Sequence, residues 1–471
     1  MTLAAFTWTD RARPIVELGI GDTRIPAGQA TWDHARWDTA GDMWAGTEPV
    51  WHDITCDTHQ FRCLYGRVRV TDRFTVGEAT VSVDNASGWA DPNVVGDTNV
   101  LTVRPGRPIR MGVIHQDFGV RWLFRGFVDS VLPTYDPVDP DRVELSCIDA
   151  LGEVNRAKFV PQLFTGAGET VRYRIHRILD LTKWPTEKRD VDFTSDTLIG
   201  DDLSGQAADL LGRAADSNGG SVFGDMEGRV AYRSRDWQTF QPGTPPDGTI
   251  GNVEDGSPNR VTFDPFNYLE DGAQVVWGAT VPADVCPTRW ERPFARADIA
   301  TRIIVGRESD PASLVQLDDL EGQLLYGIEP FQRTDLLTQH DDTLAMLARR
   351  FLNARHHTTA PRVRSVSLSA ATADNALDLM STVDVYKPSR YRCRLQYDRG
   401  MVFDDEYFAT AVAHDVTPSA WTLELNLDSA APFAVVGERW DSGHWDSTVW
   451  AADPVADLVA EARELIGELT S

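Results

Sequence analysis

Apolar and polar positions alternate along much of the chain, in short runs punctuated by glycine, proline and aspartate. In "RVRVTDRFTVGEATVSVDN" (residues 67–85) the apolar positions are Val68, Val70, Phe74 and Val76, then Val81 and Val83. Period-two alternation around Gly77 predicts a hairpin or meander. "NVLTVRPGRPIRMGVIH" follows, with a Pro105-Gly106 turn between two short strands. "RWLFRGFVDSVLPTY" and "DRVELSCIDALG" come next, joined by a Pro- and Asp-rich turn at residues 136–141. So many short strands in about a hundred residues describe a small antiparallel barrel or sandwich. We place that domain at residues 51–152.

The period then changes. "ETVRYRIHRILDL" sets Val171, Ile175, Ile178 and Leu179 on one face at helical spacing, and "KWP" at residues 183–185 stops the helix. A second helix is expected over 204–216, with Ala207, Leu210, Leu211 and Ala214 inward. Gly219-Gly220 ends it, and "SVFGDMEGRVAYRS" makes a hairpin turning near Glu227-Gly228. Residues 153–260 therefore read as a small α+β domain. Strands return in "AQVVWGA", "ATRIIVG", "PRVRSVSLSA", "STVDVYKP", "EYFATAVAHDV" and "AWTLELNL". A helix over 338–355 interrupts them, burying Leu344, Leu347, Ala348, Phe351 and Leu352. Residues 261–428 are thus a second β-barrel domain with a packed helix. The fold class is mainly β with an α+β insertion: two antiparallel barrels, a small α+β domain and terminal arms.

The arms share a phrase. "TWDHARWDTAGDMWAG" in residues 1–50 and "RWDSGHWDSTVWAA" in residues 429–471 each carry two Trp-Asp pairs and close on Trp-Ala. Tryptophan joins a large apolar area to one N–H donor, a combination enriched at protein interfaces. Trp32, Trp37, Trp44, Trp440, Trp445 and Trp450 are accordingly candidate protein-interface residues. The alternatives are arms that fold back on their own barrel, or tryptophans that stack on glycan. After the second arm, Asp453 and Pro454 have the character of a helix N-cap and first turn. Val455, Leu458, Ala462, Leu465 and Leu469 then recur at steps of three and four, with Val459 and Ile466 widening the stripe. So short a helix is marginal alone in water, so this stripe also reads as an interface.

Length and charge narrow the classes. A chain of 471 residues suggests several domains. Its formal net charge of −26 argues against nucleic-acid surfaces and anionic membranes, which require clustered Lys and Arg. No run approaches the apolar length of a membrane-spanning helix, and the N-terminus reads without a secretion signal. Five scattered cysteines do not suggest a disulfide framework, which points to synthesis in a reducing cytoplasm.

Chemistry is sparse. No phosphate-cradling glycine loop, zinc-protease helix, serine-hydrolase elbow or kinase signature occurs, so no catalytic residue and no cofactor is expected. His52, Cys56, His59 and Cys63 have the donor types of a structural zinc site. They lie in a stretch that reads as one entering strand, where such offsets point to both faces, and no metal is expected. The acidic turn at 136–141 lacks the glycine and spaced bidentate acid of a calcium loop. His356-His357 reads as a solvated helix end.

Five phrases in order carry a resemblance: "GRVRVTDRFTVGEATVSVDNASGWADP", "FRGFVDSVLP", "VELSCIDALGEVNRA", "HRILDLTKWPTEKRDVDF" and "AADSNGGSVFGDMEGRVAYRSRD". They resemble minor tail proteins of siphophages that infect actinobacteria, and within that group the baseplate hub at the tail tip. The resemblance spans roughly residues 50–427. It implies a non-enzymatic virion protein made in the host cytoplasm, with two tube-like barrels per chain. Three copies would form a pseudo-sixfold ring closing the tail tube. The implied partners are further copies of the chain as a homotrimer, the distal tail protein, the tape-measure protein and other minor tail proteins. Genomic DNA would pass through the ring without specific binding, and no membrane anchor is implied. The alternatives are a sixfold distal tail protein, or a protein that binds or hydrolyses cell-wall glycan. A DNA-passing lumen should carry more Asp and Glu than Lys and Arg.

Overall fold

The structure is a computed structural model. It describes residues 12–20, 49–86, 88–90, 103–135, 141–161, 166–240, 248–251, 253–254, 257–258, 267–268, 274–275, 288–291, 298–308, 310–356, 363–370, 374–387, 389–396 and 402–433.

The first β region contains β1 (Ala12–Ile20), β2 (Val50–Asp53), β3 (Thr58–Gly66), β4 (Thr75–Asp84), β5 (Pro108–His115), β6 (Gly119–Thr134) and β7 (Arg142–Ile148). Its alternation is the expected one. Phe61, Cys63 and Tyr65 of β3 face the core beside Ala79, Val81 and Val83 of β4 and Val143, Leu145 and Cys147 of β7. Two expectations fail locally. The first turn falls at residues 67–74, not at Gly77, which lies inside β4. A Cβ on Gly77 would come within 2.9 Å of an Asp149 carboxylate oxygen, so this glycine serves a close approach. The entering stretch, read as one strand, is broken by a 3-10 turn, Thr55–Asp57, between β2 and β3. The chain also joins the sheet earlier than the expected arm allows: β1 pairs antiparallel with both β5 and β2.

A short helix that periodicity did not reveal follows β7. α1 (Ala150–Asn155) is capped by Asp149, whose carboxylate accepts Gly152 N–H at 2.8 Å and Gly77 N–H at 2.7 Å. Burial pushes this carboxyl up to about 7, against the pull of those N–H donors. Asp149→Ala would strand both buried amides. It is expected to cost about 2–4 kcal/mol, read as a lower urea midpoint at unchanged slope.

The α+β unit has β8 (Lys158–Phe159), α2 (Val171–Leu181), β9 (Arg189–Val191), β10 (Gly205–Gln206), α3 (Ala207–Asp216), β11 (Ser221–Gly224) and β12 (Val230–Arg233). α2 ends as its sequence requires: Lys183 takes a left-handed φ of 59°, Trp184 N–H returns to Leu179 O at 2.9 Å, and Pro185 blocks continuation. Its apolar face packs with α3 and α1 in one core.

Beyond it come β13 (Gly248–Gly251) and two minimal hairpins, β14 (Val253–Glu254) with β15 (Ser257–Pro258) and β16 (Asn267–Tyr268) with β17 (Gln274–Val275). The rest comprises β18 (Arg289–Glu291), β19 (Arg302–Arg307), β20 (Asp310–Asp318), α4 (Leu320–Tyr326), β21 (Pro330–Leu336), α5 (Asp341–Arg355), β22 (Ser365–Ser369), α6 (Asp374–Thr382), β23 (Arg390–Gln396), β24 (Val402–Val416) and β25 (Trp421–Ser429). α5 buries the residues that its spacing selected, against β19 and β21. These strands form a separate three-stranded sheet, in the order β20-β19-β21. "STVDVYKP" is not a strand. It closes α6 and turns where Asp384 Oδ1 accepts Tyr386 N–H at 2.9 Å. That turn drives Tyr386 into an aromatic cluster, stacked 5.3 Å from Tyr65 and 4.8 Å from Phe223.

The two principal β regions are not separate sheets. β24 hydrogen-bonds to β25 on one side and to β3 on the other, so strands run in the order β18-β22-β25-β24-β3-β4-β7-β6-β5-β1-β2. Each region has one long strand that passes from one partner to a second: β6, of 16 residues, from β5 to β7, and β24, of 15, from β23 to β3. The fold is mainly β, built on a large antiparallel sheet.

Candidate functional site

The seam between the two β regions is built from alternating side chains. On its inner face Phe61 pairs with Val416, Cys63 with His414 and Tyr65 with Val412. His414 is fully buried: its Nδ1 accepts Trp421 Nε1–H at 3.3 Å, and Nε2 lies 3.4 Å from the Tyr65 hydroxyl. Burial holds its pKa down at about 3, so the imidazole is neutral across the seam. Burial likewise pushes the Cys63 thiol up to about 12, which removes thiolate reactivity. On the other face Gln60 Nε2–H donates to Asp415 Oδ1 at 2.7 Å, from one region to the other.

At the seam the backbones come unusually close. Gly66 has φ +126°, and a Cβ there would fall 2.3 Å from Thr410 O and 2.4 Å from Ala411 Cα. Glycine is required by conformation and by space together.

The open face of β22, β25, β24, β3, β4 and β7 has a consistent chemistry. One row reads Ser369, Thr422, Asp415, Arg62, Thr80, Ser146. The next reads Ser367, Glu424, Ala413, Leu64, Glu78, Ile148. Gln60, Ser82 and Glu144 extend the face, as do Asp84 and Arg142. Its charged positions are five acids (Glu78, Asp84, Glu144, Asp415, Glu424) against two bases (Arg62, Arg142). Small hydroxyl side chains fill most of the rest. Such a surface is well hydrated, carries negative potential and offers polyanions no clustered cations.

The residues singled out as interface candidates, Trp32, Trp37, Trp44, Trp440, Trp445, Trp450, Val455, Leu458, Ala462, Leu465 and Leu469, lie outside the described residues. The metal-like quartet is not brought together. His52 and Cys56 are exposed and Cys63 is in the core, and among the described residues no group of His, Cys, Asp and Glu could hold an ion. Of the acidic turn only Asp141 is described. His356 is no free helix end, since its Nε2 lies 3.4 Å from Asp319 Oδ2. Among the described residues no helix is long and apolar enough to cross a membrane.

One surface escaped the sequence reading. α4 presents Leu320, Leu324 and Leu325 to solvent, with Ile328 just beyond, and Leu324 is 89% exposed. Asp319 caps the helix by accepting Gly322 N–H at 2.9 Å. The "DDLEG" at residues 318–322, which opens the helix, was the available signal.

No family model matches the chain, and no curated protein is similar to it. Among solved structures it is similar to the tail protein from Neisseria meningitidis MC58, with a TM-score of 0.52 and 12% identity, covering 81% of this chain and 94% of that one. The likeness is one of fold. A 43 kDa tail protein of prophage MuSo2 from Shewanella oneidensis also aligns, at 9% identity over 89% of this chain and 99% of that one, with a TM-score of 0.49.

Proposed function

We propose that this chain is a structural component of a bacteriophage tail: a baseplate hub protein at the tail tip whose copies close a ring around a central channel. The observation that carries the reading is the continuous sheet, whose open face over β22, β25, β24, β3, β4 and β7 is largely polar and acid-biased on both sides of the seam. The fold shared with a solved tail protein supports it. In this reading each chain contributes two adjoining tube segments, one on each side of the β3–β24 seam, and three chains supply six. Ring closure would also bury the outer sheet edges, which otherwise invite uncontrolled pairing. The open face lines the channel, and DNA slides past a surface that offers it hydration and repulsion rather than ion pairs. The role needs no turnover. The terminal Trp-Asp arms and the C-terminal apolar stripe would hold neighbouring tail proteins, the distal tail and tape-measure proteins among them.

Electron cryomicroscopy of the assembled tail tip tests this directly. The expected result is three copies around one channel, with Glu78, Glu144 and Glu424 facing the lumen. Six copies in the ring, or these residues on the outer wall, would overturn it.

A further inference from the structure

The two β regions repeat one strand arrangement. β6 and β24 each leave a first partner strand at an equivalent backbone bond. Val128 N–H donates to Arg107 O, just before β5, at 2.8 Å, and Ala409 N–H donates to Ser389 O, just before β23, at 3.3 Å. Each then shifts register by one residue, between Val128 and Ser130 or between Ala409 and Ala411. Beyond that bulge each pairs with the next strand in sequence, Val131 opposite Leu145 and Val412 opposite Leu425. The correspondence continues outward: Val81 of β4 stands opposite Leu145 as Val366 of β22 stands opposite Leu425. β3 lies beside β4 as β18 lies beside β22, with Phe61 opposite Val81 and Trp290 opposite Val366. The sequence echoes this. "FRCLYGR" at 61–67 and "WERPFAR" at 290–296 both place aromatic residues first and fifth and an arginine seventh.

The repeat has one unequal member. In the second region the far side of β24 is taken by β3, with Val412 opposite Tyr65 and Val416 opposite Phe61. In the first region the matching residues 130–134 of β6 pair with β7, and among the described residues no strand pairs with their other side. β18 likewise ends its sheet, with β22 on one side and no described strand on the other. Burial follows the difference. Val412, His414 and Val416 are fully buried at the seam, whereas their counterparts Val131 and Pro133 are half-buried and Tyr135 is 59% exposed. Phe61 is fully buried, whereas its counterpart Trp290 is half-buried. Pro133 also withholds one N–H from the edge, a common guard on an edge that must not pair at random.

We propose that these two open edges are partners: β18 of one copy pairs antiparallel with residues 130–134 of β6 in the next. The joint that β3 and β24 make within a chain is thereby repeated between chains. This inference rests on the ring reading above and names the surfaces that close the ring. Copying the β3–β24 register sets Trp290 of one copy opposite Tyr135 of the other, as Phe61 stands opposite Val416. It sets Glu291 opposite Thr134, as Arg62 stands opposite Asp415. The two edges differ, so the contact is head-to-tail and runs from copy to copy until the ring closes.

Tails assembled from the full chain carrying Thr134→Cys and Glu291→Cys test it. Residues opposite one another in an antiparallel pair hold their Cβ atoms about 4.5–5.5 Å apart, close enough for a disulfide after a small adjustment. Within one chain six strands lie between β18 and β6 along the sheet, so the bond is read as covalent dimer and trimer on a non-reducing gel. Mild oxidation should link the copies, and the ladder should stop at three. The shifted pair, Ser130→Cys with Glu291→Cys, is displaced by about 13 Å along β6 and should link about ten-fold less. Equal linkage by the two pairs, or none by the first above the background of the parent chain, would overturn the joint and leave a three-copy ring standing. A ladder that runs to six would keep the joint and remove the three-copy reading. Electron cryomicroscopy of the parent tail tip reads the same contact without any substitution. β18 and β6 of neighbouring copies should lie about 4.8 Å apart, and edges too distant to hydrogen-bond would sink the proposal.

Discussion

Gly66→Ala should unzip the join between the two β regions. The added methyl would sit 2.3 Å from a backbone oxygen and 2.4 Å from a Cα, and neither atom belongs to a side chain that can swing aside. The residue would also be held at φ +126°, which L side chains rarely adopt. Steric overlap and backbone strain act together, so a loss of about 3–5 kcal/mol is expected. Loss of protection at β3 and β24 amides in hydrogen exchange, with β5 and β6 still protected, would locate the damage at the seam. A variant as stable as the parent would mean that the backbones do not approach this closely.

The second large effect is electrostatic and leaves the fold alone. Glu78, Glu144 and Glu424 are exposed, so the triple Lys replacement should change stability little. Reversing them places a cationic band along the proposed channel, and each phosphate held there must be released before DNA advances. Tails should assemble and adsorb normally, while genome delivery falls by about 100-fold or more, with the defect easing at high salt. Normal infectivity of the triple variant would remove the open face from the DNA path.

Much of the architecture is legible in local pattern. The inward residues of β4, β7 and β25, the buried stripes of α2, α3 and α5, and the mainly β class follow from periods of two and of 3.6 residues. The misplaced pieces share a cause. Gly77 looks like a turn because glycine usually marks one, yet it is there to admit Asp149. "STVDVYKP" has strand composition, but an aspartate turn and a tyrosine anchored among distant aromatic rings decide its path. α1 and α4 are too short for periodicity, and only their capping aspartates announce them. The open face is half-legible. Its polar alternation is written in each strand, but the register that aligns six strands into one surface depends on pairing across hundreds of residues.

The β3–β24 seam also sets a timetable for synthesis. Tyr65 and His414, which meet across it, are separated by 349 positions. At ~5–20 residues per second, a ribosome spends roughly 20–70 s between making one and making the other. During that interval β3 has β4 on one side and nothing of its own to pair with on the other. A nascent chain therefore carries an open strand edge whose proper partner has not yet been made. Many nascent chains made close together could pair β3 with one another instead. Fast elongation on widely spaced ribosomes, or a chaperone that shields the N-terminal sheet, is the condition under which this fold closes on itself.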